Sequence, residues 1–202
     1  MAEQEMTVYG DSLSGNCLKV KFVADYLDIG YRWIETDVLA GQTRTAAFLA
    51  MNPAGQVPTV VLPGGQALAQ SNAIMLYLAD GSDLIPADVL DRALMFQWLF
   101  WEQYSHEPVI AVRRFHKVYL KKADSDIDPA LLAKGQRVLD LMEGHLAERT
   151  YFVAGRLTLA DIALFAYTRL AGEAGFDLAK WPKAQAWVRR VEGDLGTTAM
   201  AG

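Results

Sequence analysis

Apolar and polar positions along the chain predict two parts of different architecture. Near the start, the β-forming run Thr7-Val8-Tyr9 precedes a loop of Gly and Ser. Four apolar residues then recur at helical spacing: Val20, Val23, Ala24 and Leu27. Four charged residues take the other face: Lys19, Lys21, Asp25 and Asp28. This pattern predicts an amphipathic helix that buries its apolar face and leaves its charged face, Lys19 included, in solvent.

The pattern then returns to short β-type runs separated by turns. The predicted strands are Tyr31–Val38, Thr59–Leu62 and Gln66–Ala69, and the predicted helices are Thr45–Ala50 and Ser71–Leu78. Pro63-Gly64-Gly65 joins the last two strands as a hairpin. The order βαβαββα combines parallel units with a terminal hairpin, so we expect an α/β domain over residues 1–80 with a mixed four-stranded sheet.

Beyond Pro86 only helical periodicity remains, which predicts an all-helical domain over residues 87–202. Pro108 predicts a kink or a boundary, and Asp128-Pro129 begins a further helix. Thr158-Leu159-Ala160-Asp161 has the form of a capping box before an apolar run. The basic run Arg113 to Lys122 is typical of a solvated helix face, although it could instead border a substrate pocket.

Composition excludes several classes of function. The chain has 202 residues, 52% of them hydrophobic, and a net charge of −5, which argues against binding to nucleic acid or to an anionic membrane. A single cysteine, Cys17, excludes internal disulfides and zinc sites of several thiolates, and the 3 histidines lack metal-ligand spacing. No apolar run is long enough to span a membrane. Met1 to Thr7 do not resemble a secretory signal, so we expect a cytoplasmic protein.

Three loop segments of the first domain carry candidate chemistry. Ser14-Gly15-Asn16-Cys17 begins a helix, whose unpaired amides and dipole can stabilise an anion or a thiolate. Val57-Pro58 suits a tight turn with a cis bond, which would present the Val57 backbone to an extended ligand. Gln70-Ser71 begins another helix and offers an amide and a hydroxyl. Each alone is equally an ordinary cap or turn, but together they describe a groove for a small anionic peptide.

In this combination the whole chain resembles the cytosolic glutathione S-transferases. The resemblance rests on Asn52 to Pro58, Gln70-Ser71 and the capping box Thr158 to Asp161, in order and at family spacing. It implies a thioredoxin-like N-terminal domain that binds glutathione as co-substrate, and a helical domain that completes the pocket for the acceptor. It also implies a homodimer, a role in detoxification and no metal.

The resemblance leaves three candidates for activating the glutathione thiol. Ser14 resembles the catalytic serine of the theta and delta classes, Asn16 an asparagine of the bacterial nu class, and Cys17 the cysteine of the beta class. We favour Ser14 and Asn16 as hydrogen-bond donors over Cys17 as nucleophile. The implied glutathione-binding residues are Arg44, Gln56, Val57, Pro58, Gln70, Ser71 and, in a dimer cleft, Glu102, Gln103 and His106.

Three functions therefore remain open. The first is a transferase that attacks a small, apolar electrophile with the glutathione thiolate. The second is a glutathione-dependent disulfide or peroxide reductase, in which Cys17 would take part. The third is a non-catalytic binding module of the same fold.

Overall fold

The computed structural model describes residues 5–197, and the chain divides into two compact units, Met1–Ser82 and Asp83–Gly202. The ends of both predicted domains, residues 1–4 and 198–202, lie outside the described residues, as does part of the segment used to argue against a secretory signal. Among the described residues, no helix has the length and apolar composition needed to cross a membrane.

The first unit has the predicted element order βαβαββα. Its elements are β1 (Met6–Gly10), α1 (Gly15–Tyr26), β2 (Tyr31–Glu35), α2 (Ala46–Met51), β3 (Thr59–Val61), β4 (Ala67–Ala69) and α3 (Ser71–Leu78). The sheet order is β2-β1-β3-β4, with β1 parallel to β2 and antiparallel to β3. A parallel pair needs a crossover, which α1 supplies, whereas the antiparallel pair β3 and β4 needs only a tight turn. The predicted mixed four-stranded sheet is confirmed.

The core of this unit joins the two central strands to α1 and α3. Val8 and Val60 on the strands pack with Val20 of α1 and Ile74 of α3, and all four side chains are at most 1% exposed. The apolar stripe of α1 is therefore inside, as its periodicity predicts. The expectation that Lys19 faces solvent is wrong, because its side chain is 0% exposed. Both the apolar stripe and part of the charged face of α1 are covered.

The second unit is helical throughout. Its helices are α4 (Val89–Trp101), α5 (Glu107–Val118), α6 (Pro129–His145), α7 (Leu159–Thr168) and α8 (Pro182–Asp194). Between α4 and α5 the chain stays helical but widens into a π-helical segment, Glu102–His106. The boundary that Pro108 predicts is therefore a change of helical type, with Pro108 in the first turn of α5.

Helix α7 is the centre of the second unit, and every one of its residues is buried. The predicted capping box is present at its start, where Asp161 Oδ2 accepts hydrogen bonds from the Thr158 amide and hydroxyl at 3.0 and 2.9 Å. Asp161 Oδ1 accepts two more, from the Phe152 amide and the Trp187 indole, both at 2.9 Å. One carboxyl group thus ties the start of α7 to α8 and to the loop before α7.

The basic run on α5 is partly structural rather than a solvated face. Arg113 is buried and donates to the Ala174 carbonyl at 2.7 Å and to the Asp124 carboxylate at 2.5 Å. Arg114 is also buried and donates to Glu173 at 2.6 Å. The interpretation of a solvated face is wrong for these two arginines, because their side chains are buried and each pairs with a carboxylate of the helical unit.

Candidate functional site

The sheet register places the three candidate loops at one end of the first unit. Thr59, the first residue of β3, pairs with Tyr9 on one side and with Ala69 on the other. The next residues beyond this row are Gly10, Pro58 and Gln70, which lead into the three loops. The strand pairing therefore places the three loops at the same edge of the sheet, as expected.

A hydrogen bond joins two of these loops. Ser71 Oγ donates to Asn16 Oδ1 at 3.1 Å, although the two residues are 55 positions apart in the chain. Lys19 Nζ donates to the same oxygen at 2.9 Å. Ser71 is 5% exposed, while Asn16 lies half-buried one residue inside the start of α1. The side chains predicted at the beginnings of α1 and α3 therefore belong to one cluster.

Ser14 stands at the N-cap of α1 and is half-buried. Its backbone is extended, with φ −82° and ψ 120°, and its hydroxyl does not cap the helix. The Ser14 amide donates to the Asp11 carbonyl at 2.9 Å, which closes the turn before α1. This N-terminus combines a hydroxyl with backbone amides and the positive end of the helix dipole, which together suit a thiolate.

Two carboxylates fix the loop that carries Ser14. Asp11 Oδ1 accepts from the Leu13 amide at 2.8 Å, and Glu35 Oε1 accepts from the Ser12 amide at 2.8 Å and the Ser12 hydroxyl at 3.1 Å. Partial burial alone would raise the pKa of Glu35, but hydrogen bonds from Ser12 and from the Trp33 indole outweigh it and lower this pKa. Glu35 therefore stays ionised and holds the loop against the end of β2. Sequence reasoning missed both anchors, because contacts between loop and strand leave no periodic signal.

Cys17 lies under α1 rather than at its surface. Its side chain is 0% exposed, and Sγ accepts a hydrogen bond from the Asp11 amide at 3.3 Å. Burial raises the pKa of the Cys17 thiol to about 12, although the hydrogen bonds to Asp11 and Ser14 act to lower it. A neutral, enclosed thiol has neither the ionisation nor the access that a nucleophile needs.

The Val57-Pro58 peptide bond is cis. The buried Asn52 side chain supports this turn, because its Nδ2 donates to the Gln56 carbonyl at 2.9 Å and to the Thr59 hydroxyl at 3.1 Å. Pro58 is buried, Val57 is half-buried and Gln56 is exposed. Asn52 thus positions the turn from inside, a role that its place in the motif does not reveal.

Arg44 is exposed and reaches the same loop. Its guanidinium donates to the Ala54 carbonyl at 3.3 Å and lies against Gly55, which has a φ of +62°. A side chain at position 55 would displace the Arg44 guanidinium and would strain the backbone. Arg44 therefore stands beside the turn before Val57, where its positive charge is available to an anion.

Gln70 has a strained backbone, with φ 72° and ψ 111°, immediately before α3. Residues other than glycine rarely adopt positive φ, and such conformations cost about 1–3 kcal/mol. The Gln70 side chain is exposed. Strain of this kind is common at binding sites, and here it lies next to Ser71. The sequence indicates Gln70 as a candidate residue but not the strain of its backbone.

The three residues expected on the first long helix lie in the helical unit. Glu102 and His106 are each 0% exposed, and the His106 ring lies 2.9 Å from the Thr168 hydroxyl. Gln103 is half-buried and donates to Glu102 at 2.8 Å. The π-helical turn changes which side chains face inward, so the structure does not place Glu102 or His106 on an accessible surface. Among the residues the structure describes, no group of three or more His, Cys, Asp or Glu could hold a metal ion.

The chain joins a mixed four-stranded sheet in this order to a helical unit. It is therefore a two-unit protein with a thioredoxin-like domain. Two family profiles match it: glutathione S-transferase, N-terminal domain, over residues 13–80, and glutathione S-transferase, C-terminal domain, over residues 93–194. The chain belongs to the glutathione S-transferase family.

Individual relatives agree with this assignment. A solved glutathione S-transferase from Pseudomonas fluorescens is 45% identical, with a TM-score of 0.90 over 93% of this chain and 94% of that one. Glutathione S-transferase 3 of Zea mays is 31% identical over 77% of this chain and 73% of that protein. Ure2p in complex with glutathione is only 21% identical, with a TM-score of 0.87 over 98% and 93% of the two chains, so this likeness is one of fold.

Proposed function

We propose that this protein is a glutathione transferase that binds glutathione at the loop end of its first unit and activates the thiol there. The observation that carries the proposal is the hydrogen bond between Ser71 and Asn16, which unites two predicted parts of the site. Membership of the glutathione S-transferase family, and relatives of that name at 31% and 45% identity, support the choice of ligand.

The proposed binding residues divide by the part of glutathione that they suit. Ser71 and Gln70 would hold the γ-glutamyl end, and the Val57 backbone beside cis-Pro58 would pair with the extended tripeptide. For the glycyl carboxylate the available groups are Arg44 and Gln56, the first of which carries a positive charge. Glu102 and His106 are left out because their side chains are fully buried, and Gln103 because its side chain donates to Glu102.

In the proposed reaction, Ser14 and Asn16 donate hydrogen bonds to the glutathione sulfur at the start of α1. A hydrogen bond to a charged acceptor contributes about 1.5–3 kcal/mol, which lowers the pKa of a thiol by about one to two units. The thiol proton leaves to solvent, and the sulfur lone pair forms a bond to an electrophilic carbon. A leaving group then departs from that carbon with its bonding electrons.

The acceptor is proposed to be a small, apolar electrophile, and the cellular role a cytoplasmic detoxification. We propose that the protein acts as a homodimer. Large apolar side chains on α4 and the π-helical segment support association, since Phe100 is 71% exposed and Tyr104 is 87% exposed. A reductase mechanism through Cys17 is disfavoured by the burial of that thiol.

The test compares three variants with a haloarene acceptor and glutathione. Because the donor is lost, we expect Ser14→Ala to lower kcat/KM about tenfold or more and to raise the pKa seen in its pH profile. Asn16→Ala should have a smaller effect of the same kind, while Cys17→Ala should keep most of the activity. Loss of activity in Cys17→Ala with Ser14→Ala unaffected would overturn the assignment. A wild-type protein that fails to bind immobilised glutathione would favour the non-catalytic binding module.

A further inference from the structure

In the first unit, the burial of Lys19 is contrary to the exposure that the sequence pattern predicts. Its side chain is 0% exposed and is among the largest fully buried side chains of the protein. Burying a lysine costs free energy unless its ammonium group is well hydrogen-bonded, so such a residue is expected to have a specific partner. One partner is Asn16 Oδ1, at 2.9 Å from Lys19 Nζ.

The two partners of the Asn16 side chain, Ser71 and Lys19, differ in the amide orientation that they allow. The side-chain amide has an acceptor oxygen on one side and a donor nitrogen on the other, and the two can exchange places by rotation. Ser71 can serve either orientation, because a hydroxyl both donates and accepts. A protonated lysine carries three donors and no acceptor, so it tolerates only the orientation with Oδ1 toward it.

We propose that Lys19 is a positioning residue that locks the orientation of the Asn16 side-chain amide, directing Oδ1 inward to Lys19 and Ser71 and Nδ2 to the opposite side. The inference rests on the proposed function, in which Asn16 donates to the glutathione sulfur. Without the lock, the rotated amide would turn its oxygen toward the thiolate and repel it. Lys19 would thus act on the chemistry only through Asn16.

The first test is a double-mutant cycle on the pKa of enzyme-bound glutathione, measured from thiolate absorbance against pH. Lys19→Met has a similar length but no donor, and Lys21→Met is the matched control because Lys21 lies on the same helix, is partly exposed and pairs with Asp25. We expect Lys19→Met to raise the thiol pKa by about one unit, which shifts the midpoint of the titration by about tenfold in proton concentration, and to lower kcat more than it changes KM. Lys21→Met should leave both unchanged.

The cycle separates positioning from a direct effect of charge. If Lys19 acts through Asn16, Lys19→Met should have no further effect in the Asn16→Ala background. An equal effect in both backgrounds would show that the Lys19 charge acts directly on the thiolate, and no effect in either would show that Lys19 is structural only. Both results overturn the proposal.

A second measurement keeps the inference testable if the wild-type protein does not activate glutathione. The Asn16 side-chain amide signals in a ¹⁵N NMR spectrum, assigned by their loss in Asn16→Ala, report its orientation without any ligand. One set of signals is expected in the wild type and in Lys21→Met, and shifted or doubled signals in Lys19→Met. Unchanged Asn16 signals in a folded Lys19→Met protein would refute the lock, whatever the activity of the site.

Discussion

At the scale of single residues, Ser14 and Cys17 differ in chemical role although they lie only three positions apart at the start of α1. The Ser14 side chain is half-buried at the N-cap of α1, whereas the Cys17 side chain is fully enclosed. Desolvation raises the pKa of the Cys17 thiol, and it outweighs the hydrogen bonds from Asp11 and Ser14 that act to lower this pKa. Under the proposed function, the thiol to be activated is therefore one supplied by a ligand and not Cys17 itself.

We predict that native Cys17 resists alkylation. Its pKa is raised from 9.0 to about 12 by burial, so at neutral pH its thiolate fraction is about a thousandfold smaller than that of an ordinary cysteine. Labelling with iodoacetamide, followed by mass spectrometry, should be slow in buffer and complete in denaturant. Labelling of the native protein at the rate of a free thiol would contradict the burial of the Cys17 side chain.

Substitutions at Gln70 can separate the contribution of its side chain to glutathione binding from the strain of its backbone. We predict that Gln70→Gly raises the free energy of unfolding by about 1 kcal/mol, because glycine accepts positive φ at little cost. The same change should weaken glutathione binding, since the side-chain amide is lost. Gln70→Ala is the matched control: it also loses the amide but keeps the strain, so it should bind weakly without any gain in stability. Urea unfolding and calorimetric titration measure the two quantities.

At the scale of elements, α7 depends on one buried carboxyl group. Asp161 accepts hydrogen bonds from the Thr158 amide and hydroxyl, the Phe152 amide and the Trp187 indole. Burial nevertheless raises the pKa of Asp161 from 3.8 to about 6, because desolvation outweighs these donors. The start of this helix is thus a point at which stability depends on pH.

The sign of that dependence follows from the direction of the shift. Between pH 3.8 and about 6 the folded protein holds the Asp161 proton more tightly than the unfolded chain does. The stabilisation from this group is present below that range and is lost as the pH rises through it, by about 3 kcal/mol. We predict that the free energy of unfolding falls more steeply there in the wild type than in Asp161→Asn, which cannot ionise. Parallel urea-derived profiles would contradict this.

At the scale of the whole molecule, only the first unit contributes residues to the proposed glutathione site. All the residues proposed to hold glutathione lie in the first unit, between Ser14 and Ser71. The second unit has its own core around α7 and its own ion pairs, such as the one between Arg114 and Glu173. Ligand effects should therefore be largest in the first unit.

We predict that glutathione raises the free energy of unfolding by about 2.7 kcal/mol at one hundred times its Kd. At the same glutathione concentration Ser71→Ala should gain less, because losing the hydroxyl that joins the two loops raises the Kd. In hydrogen exchange, protection on adding glutathione should appear in the loop before α1 and at the start of α3, with α8 as the internal reference. Protection confined to α8 would place the ligand elsewhere.

Most of what the sequence alone could predict comes from patterns among residues that are close along the chain. Periodicity and turn residues predicted the order of elements in the first unit, the mixed sheet, the helical second unit and the capping box of α7. They succeeded because hydrogen bonding within a turn, a hairpin or a helix end depends on residues that are close in sequence.

Only the tertiary structure decided which polar side chains are buried. Lys19, Glu102, His106, Arg113 and Arg114 all have polar or charged side chains that helical periodicity would place in solvent or at a cleft, yet each is at most 4% exposed. A periodic pattern identifies one buried face of a helix, but it contains no information about a π-helical turn or about a partner 55 residues away, such as Ser71 for Asn16. The sequence therefore determined the elements and the kinds of residue at the site, and long-range packing decided their orientation, since burial depends on neighbours that are distant along the chain.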